Sequence, residues 1–413
     1  MSDPTFGLSI TRVDTEPRPA VAYDLSVIGV IGTAPDADAD KFPLNTPVFR
    51  YSDDADLATD LGADGTLLDA FIGIQAQMGE FQQAAKVVVV RVTEGVDDDA
   101  TITNIVGASV SGTGLYAFLN AGAILGIVPR LIIAPGYTSQ DLDTNAVIAA
   151  LPTVCAQLLA HAIVDGPATT QADAITWREG MASSRLIPVE TAVKVGVNED
   201  VKPASPYIAG LAVRRDHQYA GRPFHSWANQ PIYGIVGPSR TMNFSLTDGA
   251  TEAQTLLSNN IGVILRGEAG VESAIASGGF IYVGTDNASD DTLWQFYNIT
   301  RGRDYIHLAL LRLLRQRLGV NNIELQVLQD IQREISFFLR DLKANGDLLG
   351  YKVSFPRDLN TPEQVRLGKI HISFEAEEPP VLRYIGLSSA RYRPALDTLF
   401  ADLLAQVDTT ISQ

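Results

Sequence analysis

Four consecutive valines, Val87 to Val90, lie inside the run Lys86 to Val92. β-Branched residues are stiff at χ1 and suit a pleated strand. A strand apolar at successive positions has no face to give to water, so it belongs inside a sheet covered on both sides. Asp24 to Thr33, Arg130 to Ala134 and His161 to Val164 read as further strands, with helical spacing over Leu67 to Met78 and Asn145 to Leu159 between them. Strands alternating with helices predict an α/β domain with a largely parallel sheet. Gly107 to Gly126 begins rich in Gly and Ser and then turns helix-like. Asn198 to Ser239, with Pro203, Pro206, Pro223, Pro231 and Pro238, reads as loop-dominated. Leu256 to Leu265 resumes regular structure, and Gly278 to Val283 reads as a strand.

The pattern changes near Asp290-Asp291. One helix is expected from about Arg303 to Leu318, with Ile306, Leu310, Leu313, Leu314 and Leu318 inward. A second carries Leu325, Leu328, Ile331, Ile335, Phe338 and Leu342 on one face, with Gly346 as its stop. Strands are expected at Leu348 to Phe355 and Leu367 to Glu375, presenting Tyr351, Val353 and Phe355 from one and Ile370, Ile372 and Phe374 from the other. Leu396 to Val407 reads as a last amphipathic helix. The expected fold class is α/β: a mixed α/β body at 23–292 and an α+β C-terminal domain at 293–413, preceded by an arm at 1–22. There is no internal repeat.

Both ends carry strand-like runs set off by prolines. Phe6, Leu8 and Ile10 alternate with Gly7, Ser9 and Thr11, followed by Glu16-Pro17-Arg18-Pro19. Glu377-Glu378-Pro379-Pro380 precedes the run Val381 to Leu387, which holds Leu382, Tyr384 and Ile385. Prolines block ladder hydrogen bonds and keep the tether extended. A strand must pair its backbone groups, and a tethered terminal strand does so on its own subunit or on another molecule. The seven residues from Asp14 to Ala20 reach about 23–25 Å when extended.

The net charge of -17 argues against general binding to nucleic acid or anionic membranes. The charge is unevenly placed: residues 295–413 net +1, leaving -18 on the first 294. Arg312, Arg315, Arg317, Arg333, Arg340 and Lys343 concentrate in the two C-terminal helices. Such asymmetry suggests that the two parts face different partners. Cys155 is the sole cysteine, so neither an intrachain disulfide nor a cysteine zinc cage is available, and its apolar surroundings predict a buried small hydrophobe. No signal-peptide pattern or membrane-length apolar stretch is present, and the chain reads as a soluble protein made in the cytoplasm.

Catalytic patterns are missing. There is no phosphate loop, no Gly-x-Gly-x-x-Gly turn after a strand and no Gly-x-Ser-x-Gly elbow. Gly112-Thr113-Gly114 reads as a flexible loop. His161, His217, His225, His307 and His371 lack metal-ligand spacing. Asp165-Gly166-Pro167 reads as a turn in which the aspartate caps backbone. Neither catalytic residues nor cofactor or metal sites are expected.

Collinear blocks then bring a family into view: Ile28–Pro35, Pro43–Val48, Tyr51–Asp54, Leu67–Gly73, Ala85–Val92, Leu131–Gly136, Ile163–Pro167, Ile208–Asp216, Ala228–Ile235, Asn259–Val263 and Trp294–Ile306. In this order the sequence resembles the contractile tail sheath proteins of bacteriophages, phage-like bacteriocins and related injection machines. One departure is Tyr282 to Asn287, where many sheaths carry a Trp-Gly-Ala-Arg-Thr-like run, and no role is carried over to those residues. The resemblance implies stacked hexameric rings of subunits around an inner tail tube protein, with baseplate and tail terminator proteins as further partners and no nucleic acid or membrane. It implies that terminal arms add strands to a neighbour's inner-domain sheet, that the Arg-rich, nearly neutral C-terminal domain faces the tube, and that contraction needs no cofactor. It implies a virion tail component assembled in the bacterial host cytoplasm. A sheath of a non-viral injection system stays open, as does, from a different class, an α/β nucleotide-binding enzyme with an oligomerisation arm.

Overall fold

The computed structural model describes residues 24–79, 84–142 and 144–411. Its strands are β1 (Ile28–Thr33), β2 (Pro47–Tyr51), β3 (Lys86–Val92), β4 (Leu131–Ile133), β5 (His161–Asp165), β6 (Leu186–Glu190), β7 (Val193–Val195), β8 (Asp200–Lys202), β9 (Gln230–Pro231), β10 (Gly237–Pro238), β11 (Gly262–Arg266), β12 (Phe280–Val283), β13 (Gly350–Ser354) and β14 (Ser373–Glu377). Its helices are α1 (Leu57–Leu61), α2 (Leu67–Met78), α3 (Asp98–Val106), α4 (Ala121–Leu125), α5 (Ala146–Leu158), α6 (Gln171–Glu179), α7 (Ser205–Gln218), α8 (Glu252–Ser258), α9 (Tyr297–Leu314), α10 (Leu325–Ala344), α11 (Pro362–Arg366) and α12 (Pro394–Ile411).

Nine strands form one sheet in the order β2-β3-β1-β4-β5-β6-β11-β12-β9. The six from β3 to β11 run parallel, while β2, β12 and β9 join antiparallel at the two margins. The valine run sits inside the sheet as its composition demands. Val87 and Val89 enter one core with Ile28, Val30 and Leu131, beneath α1, α2 and α7. Val88 and Val90 enter the other with Ile31 and Ile132, beneath α3 and α5. This pleat-driven division covers both faces. A smaller cluster joins α6 and α8 through Ala174, Leu256 and Val263.

The segment 198–239 departs from the loop expectation, because it contains the buried helix α7. Pro206 falls in its first turn, where a missing N–H costs nothing. Ile208 to Val213 is buried throughout, so the helix has no polar face to announce it. Gly210 approaches α2 so closely that a Cβ would lie 2.8 Å from the carbonyl oxygen of Ile74.

A fourth apolar cluster gathers Ile306, Ala309 and Leu310 of α9, Ile335, Phe338, Leu339 and Leu342 of α10, and the inner face of the β13–β14 hairpin. α9 begins at Tyr297, two turns earlier than its apolar spacing indicated, and Leu314 is its last residue. Leu318 and Leu325, expected inward, are 76% and 73% exposed. Gly346, at φ +83°, ends α10 as expected, with Asp347 N–H returning to Leu342 O at 2.9 Å.

The chain divides into two compact units, residues 1–380 and 381–413. Within the second, residues 381–392 form neither helix nor strand, and α12 follows. The strand expected over Val381 to Leu387 is therefore absent from the described structure of the single chain.

Candidate assembly surfaces

The first two turns of α9 are built into the body. Tyr297 stacks on Trp227 with centroids 4.0 Å apart, and its hydroxyl donates to Gly284 O at 2.9 Å. Thr300 Oγ1 lies 3.0 Å from His161 Nε2. Arg301 donates to both oxygens of Asp216 on α7 and to Leu25 O just before β1. Asp304 receives Arg185 through both guanidinium ends. Burial and the Arg185 and Arg301 charges hold the His161 pKa well below the usual imidazole value, so it is a neutral partner. Gly302 is required by close packing: a Cβ there would lie 2.5 Å from the Phe224 ring. The last two turns of the same helix enter the fourth cluster, so one helix carries two cores.

The β13–β14 hairpin is held on that cluster by Tyr351, Val353, Phe374 and Ala376, while Lys352 and Glu375 pair across the outer face at 3.3 Å. Phe355 and Ile370 fall outside the ladder, and Ile372 packs on the cluster one residue before β14. The expected strand over 367–375 is shortened for two reasons. Thr361 caps α11, with Pro362 in its first turn, and Gly368 at φ +75° turns the chain out of that helix. The Asn360 amide then accepts from His371 N–H at 2.8 Å and donates to His371 O at 2.9 Å, satisfying groups a ladder would otherwise use. With two strands, each has one edge unpaired among the described residues.

Arg303 anchors the end of this hairpin: it forms two 2.8 Å contacts with the Glu378 carboxylate and one of 2.7 Å with Ala376 O. Glu378 is 3% exposed and directly precedes Pro379-Pro380. The C-terminal tether thus leaves from a fixed point on α9. Beyond it, Leu382, Tyr384 and Ile385 are exposed and Val381 is half-buried. Phe6, Leu8 and Ile10 lie outside the described residues.

The basic set divides. Arg317 is engaged by Glu334, while Arg333, Arg340 and Lys343 lie exposed along α10. Arg333 lies 3.4 Å from Asp330, and Arg340 stands over the Phe337 ring at 4.7 Å. Arg312 is half-buried and Arg315 exposed at the end of α9.

In doubly wound sheets, ligands bind beyond the carboxyl ends of the strands at the switch in strand order. Here β1 lies between β3 and β4, so the crevice falls beyond Thr33 and Ile133. Thr33 N–H donates to Thr66 Oγ1 at 3.3 Å and its hydroxyl meets Tyr137 OH at 3.0 Å. The space left between Thr66, Pro135, Lys202 and Tyr207 is about 30 Å³, against the several hundred of a small-molecule site. Asp165, at the end of β5, is spent on structure, accepting from Ser205 N–H at 2.7 Å and Ser205 Oγ at 2.6 Å. It thereby caps the start of α7 rather than the local turn expected at Asp165-Gly166-Pro167, which does not form. A larger cavity of about 350 Å³ lies between the start of α5, at Asn145 and Ile148, and Trp177 and Met181.

This arrangement is a fold shared with contractile sheaths. It superimposes on the contracted helical sheath of the anti-feeding prophage with a TM-score of 0.67 at 16% identity, covering 94% of this chain and 100% of that one. The contracted sheath of the extracellular contractile injection system PVC gives 0.66 at 14% identity over 95% and 98%. In sequence, residues 108–275 match the phage tail sheath protein central domain. The chain is 30% identical over 383 residues to a prophage major tail sheath protein of Pseudomonas aeruginosa strain UCBPP-PA14, covering 91% of this chain and 93% of the relative. It is 26% identical over 423 residues to the tail sheath protein of Escherichia phage P2, covering 99% and 100%. The chain belongs to the tail sheath protein family.

Proposed function

We propose that this protein is the sheath subunit of a contractile tail, stacking as hexameric rings into a helical tube around an inner tail tube and shortening to drive that tube through an envelope. The observation that carries this reading is the β13–β14 hairpin, whose two edges are open among the described residues and which sits on a core fixed to the body by α9. A two-stranded sheet is marginal without further partners. The N-terminal run of one neighbour and the Val381 to Leu387 run of another supply those strands, adding backbone ladders and apolar side chains. Burying Phe6, Leu8 and Ile10 contributes roughly 1.5–3 kcal/mol each as an upper range. Contraction draws its energy from new interfaces between subunits, and the filled crevice beyond β1 and β4 supports a mechanism without nucleotide turnover. The exposed basic face of α10, with Arg333, Arg340 and Lys343, is the surface we assign to the tube.

The test is removal of residues 1–13. The truncated subunit is expected to melt as the full chain does and to form no long tubes by electron microscopy. Long tubes would exclude the N-terminal arm as the link. Failure to fold would place the arm in its own subunit's core.

A further inference from the structure

The apolar surface of the α9–α10 hairpin runs past its own core. Leu311, Leu318, Val320 and Leu325 lie where the two helices join, each more than half exposed. Large apolar side chains grouped in this way mark a contact surface. The same stretch, 311–325, holds Arg312 and Arg315, together with Arg317 engaged by Glu334 of α10, and one acidic residue, Glu324. In the second compact unit, α12 presents Leu396, Leu399, Phe400, Leu403 and Leu404 at i, i+3, i+4, i+7 and i+8, from 49% to 64% exposed. Its charged residues are Asp397, Asp402 and Asp408, with no lysine or arginine. An apolar helix with acidic flanks and an apolar turn with basic flanks are complementary in both respects.

We propose that α12 of one copy lies across the α9–α10 turn of a second copy, its leucines and Phe400 on Leu311, Leu318, Val320 and Leu325, with Asp397 and Asp402 facing Arg312 and Arg315. This is the amphipathic-helix mode of recognition. Because the two patches differ, the contact is heterologous, and repetition generates an open helix rather than a closed pair. The inference rests on the sheath reading and adds a helix-on-helix clasp to its strand pairing.

Two differently tagged chains, Leu403→Cys and Leu318→Cys, are mixed, assembled and treated with a short bis-maleimide. The expected product is a cross-link between the two tags that appears on assembly. It should fall at least tenfold with D397K/D402K in the α12 donor and recover with R312E/R315E in the acceptor. In the unmodified protein, hydrogen exchange of α12 and of 311–325 is expected to slow together on assembly. Tubes without the cross-link, or α12 unprotected within tubes, would each overturn the clasp while leaving the sheath reading standing. Absence of any assembly by the unmodified protein would overturn the sheath reading and the clasp with it.

Discussion

Arg301 and Asp216 form an ion pair with both side chains 1% exposed, Arg301 Nη2 lying 2.6 Å from Asp216 Oδ2. The pair joins the root of α9 to the end of α7, and Ser26 Oγ donates to the same carboxylate at 3.2 Å. Desolvating two charges is costly, and removing one partner leaves the other buried and uncompensated. Arg301→Ala and Asp216→Ala are each expected to lose about 3–5 kcal/mol of folding stability, read from denaturant midpoints. The double variant Arg301→Met, Asp216→Leu should lose less than the two single losses combined. Additive losses would show that the two groups do not act as a pair.

Burial pushes the Asp165 carboxyl up to about 6, although its hydrogen bonds from Ser205 act in the opposite direction. The folded state therefore holds this proton more tightly than the unfolded chain, whose carboxyl titrates near 3.8. Stability from this group is fully present below that lower value and is lost as pH rises through about 6. Asp165→Asn keeps an acceptor for Ser205 N–H and removes the titration. The advantage of the parent over this variant should shrink by roughly 2–2.5 kcal/mol between pH 4 and pH 7. A constant gap across that range would refute the assignment.

Cys155 lies fully buried on α5, and burial pushes its thiol up to about 12. Only the thiolate reacts readily. Alkylation followed by intact mass is expected to show no adduct in the native protein and complete labelling in denaturant. Rapid native labelling would mean that α5 opens locally.

Arg333→Glu, Arg340→Glu and Lys343→Glu together should leave the melting transition nearly unchanged, since all three side chains are exposed. Co-assembly with tube protein should weaken and its dependence on salt should change, because partly exposed charges set register and salt sensitivity. Unchanged co-assembly across a salt series would remove α10 as the tube-facing surface.

The sequence was most legible where one physical signal dominated. Val87 to Val90 identified an interior strand because no other structure hides four adjacent β-branched residues so readily, and Asn145 marked the start of α5, where its side chain accepts from Val147 and Ile148. In sequence, Asp165 reads as capping its own Asp-Gly-Pro turn, because its real partner, Ser205, lies 40 residues away in a helix masked by prolines. Two turns of α9 were missed because Asn298, Thr300 and Arg301 look like surface residues until Phe224, His161 and Asp216 are brought to them by the fold. The β14 boundary was misplaced because Ile370 and Ile372 keep a strand-like alternation while Asn360 takes the hydrogen bonds of His371.

Because α9 is clamped at its root and carries the hairpin along its middle, from Arg303 to Leu310, it behaves as a lever. Eighteen residues of helix span about 27 Å. A tilt of the body by about 10° would sweep the far end by roughly 5 Å over that length, comparable to the spacing between neighbouring strands. The hairpin, seated between about 9 and 20 Å from the root, would move with it by roughly 2–3 Å.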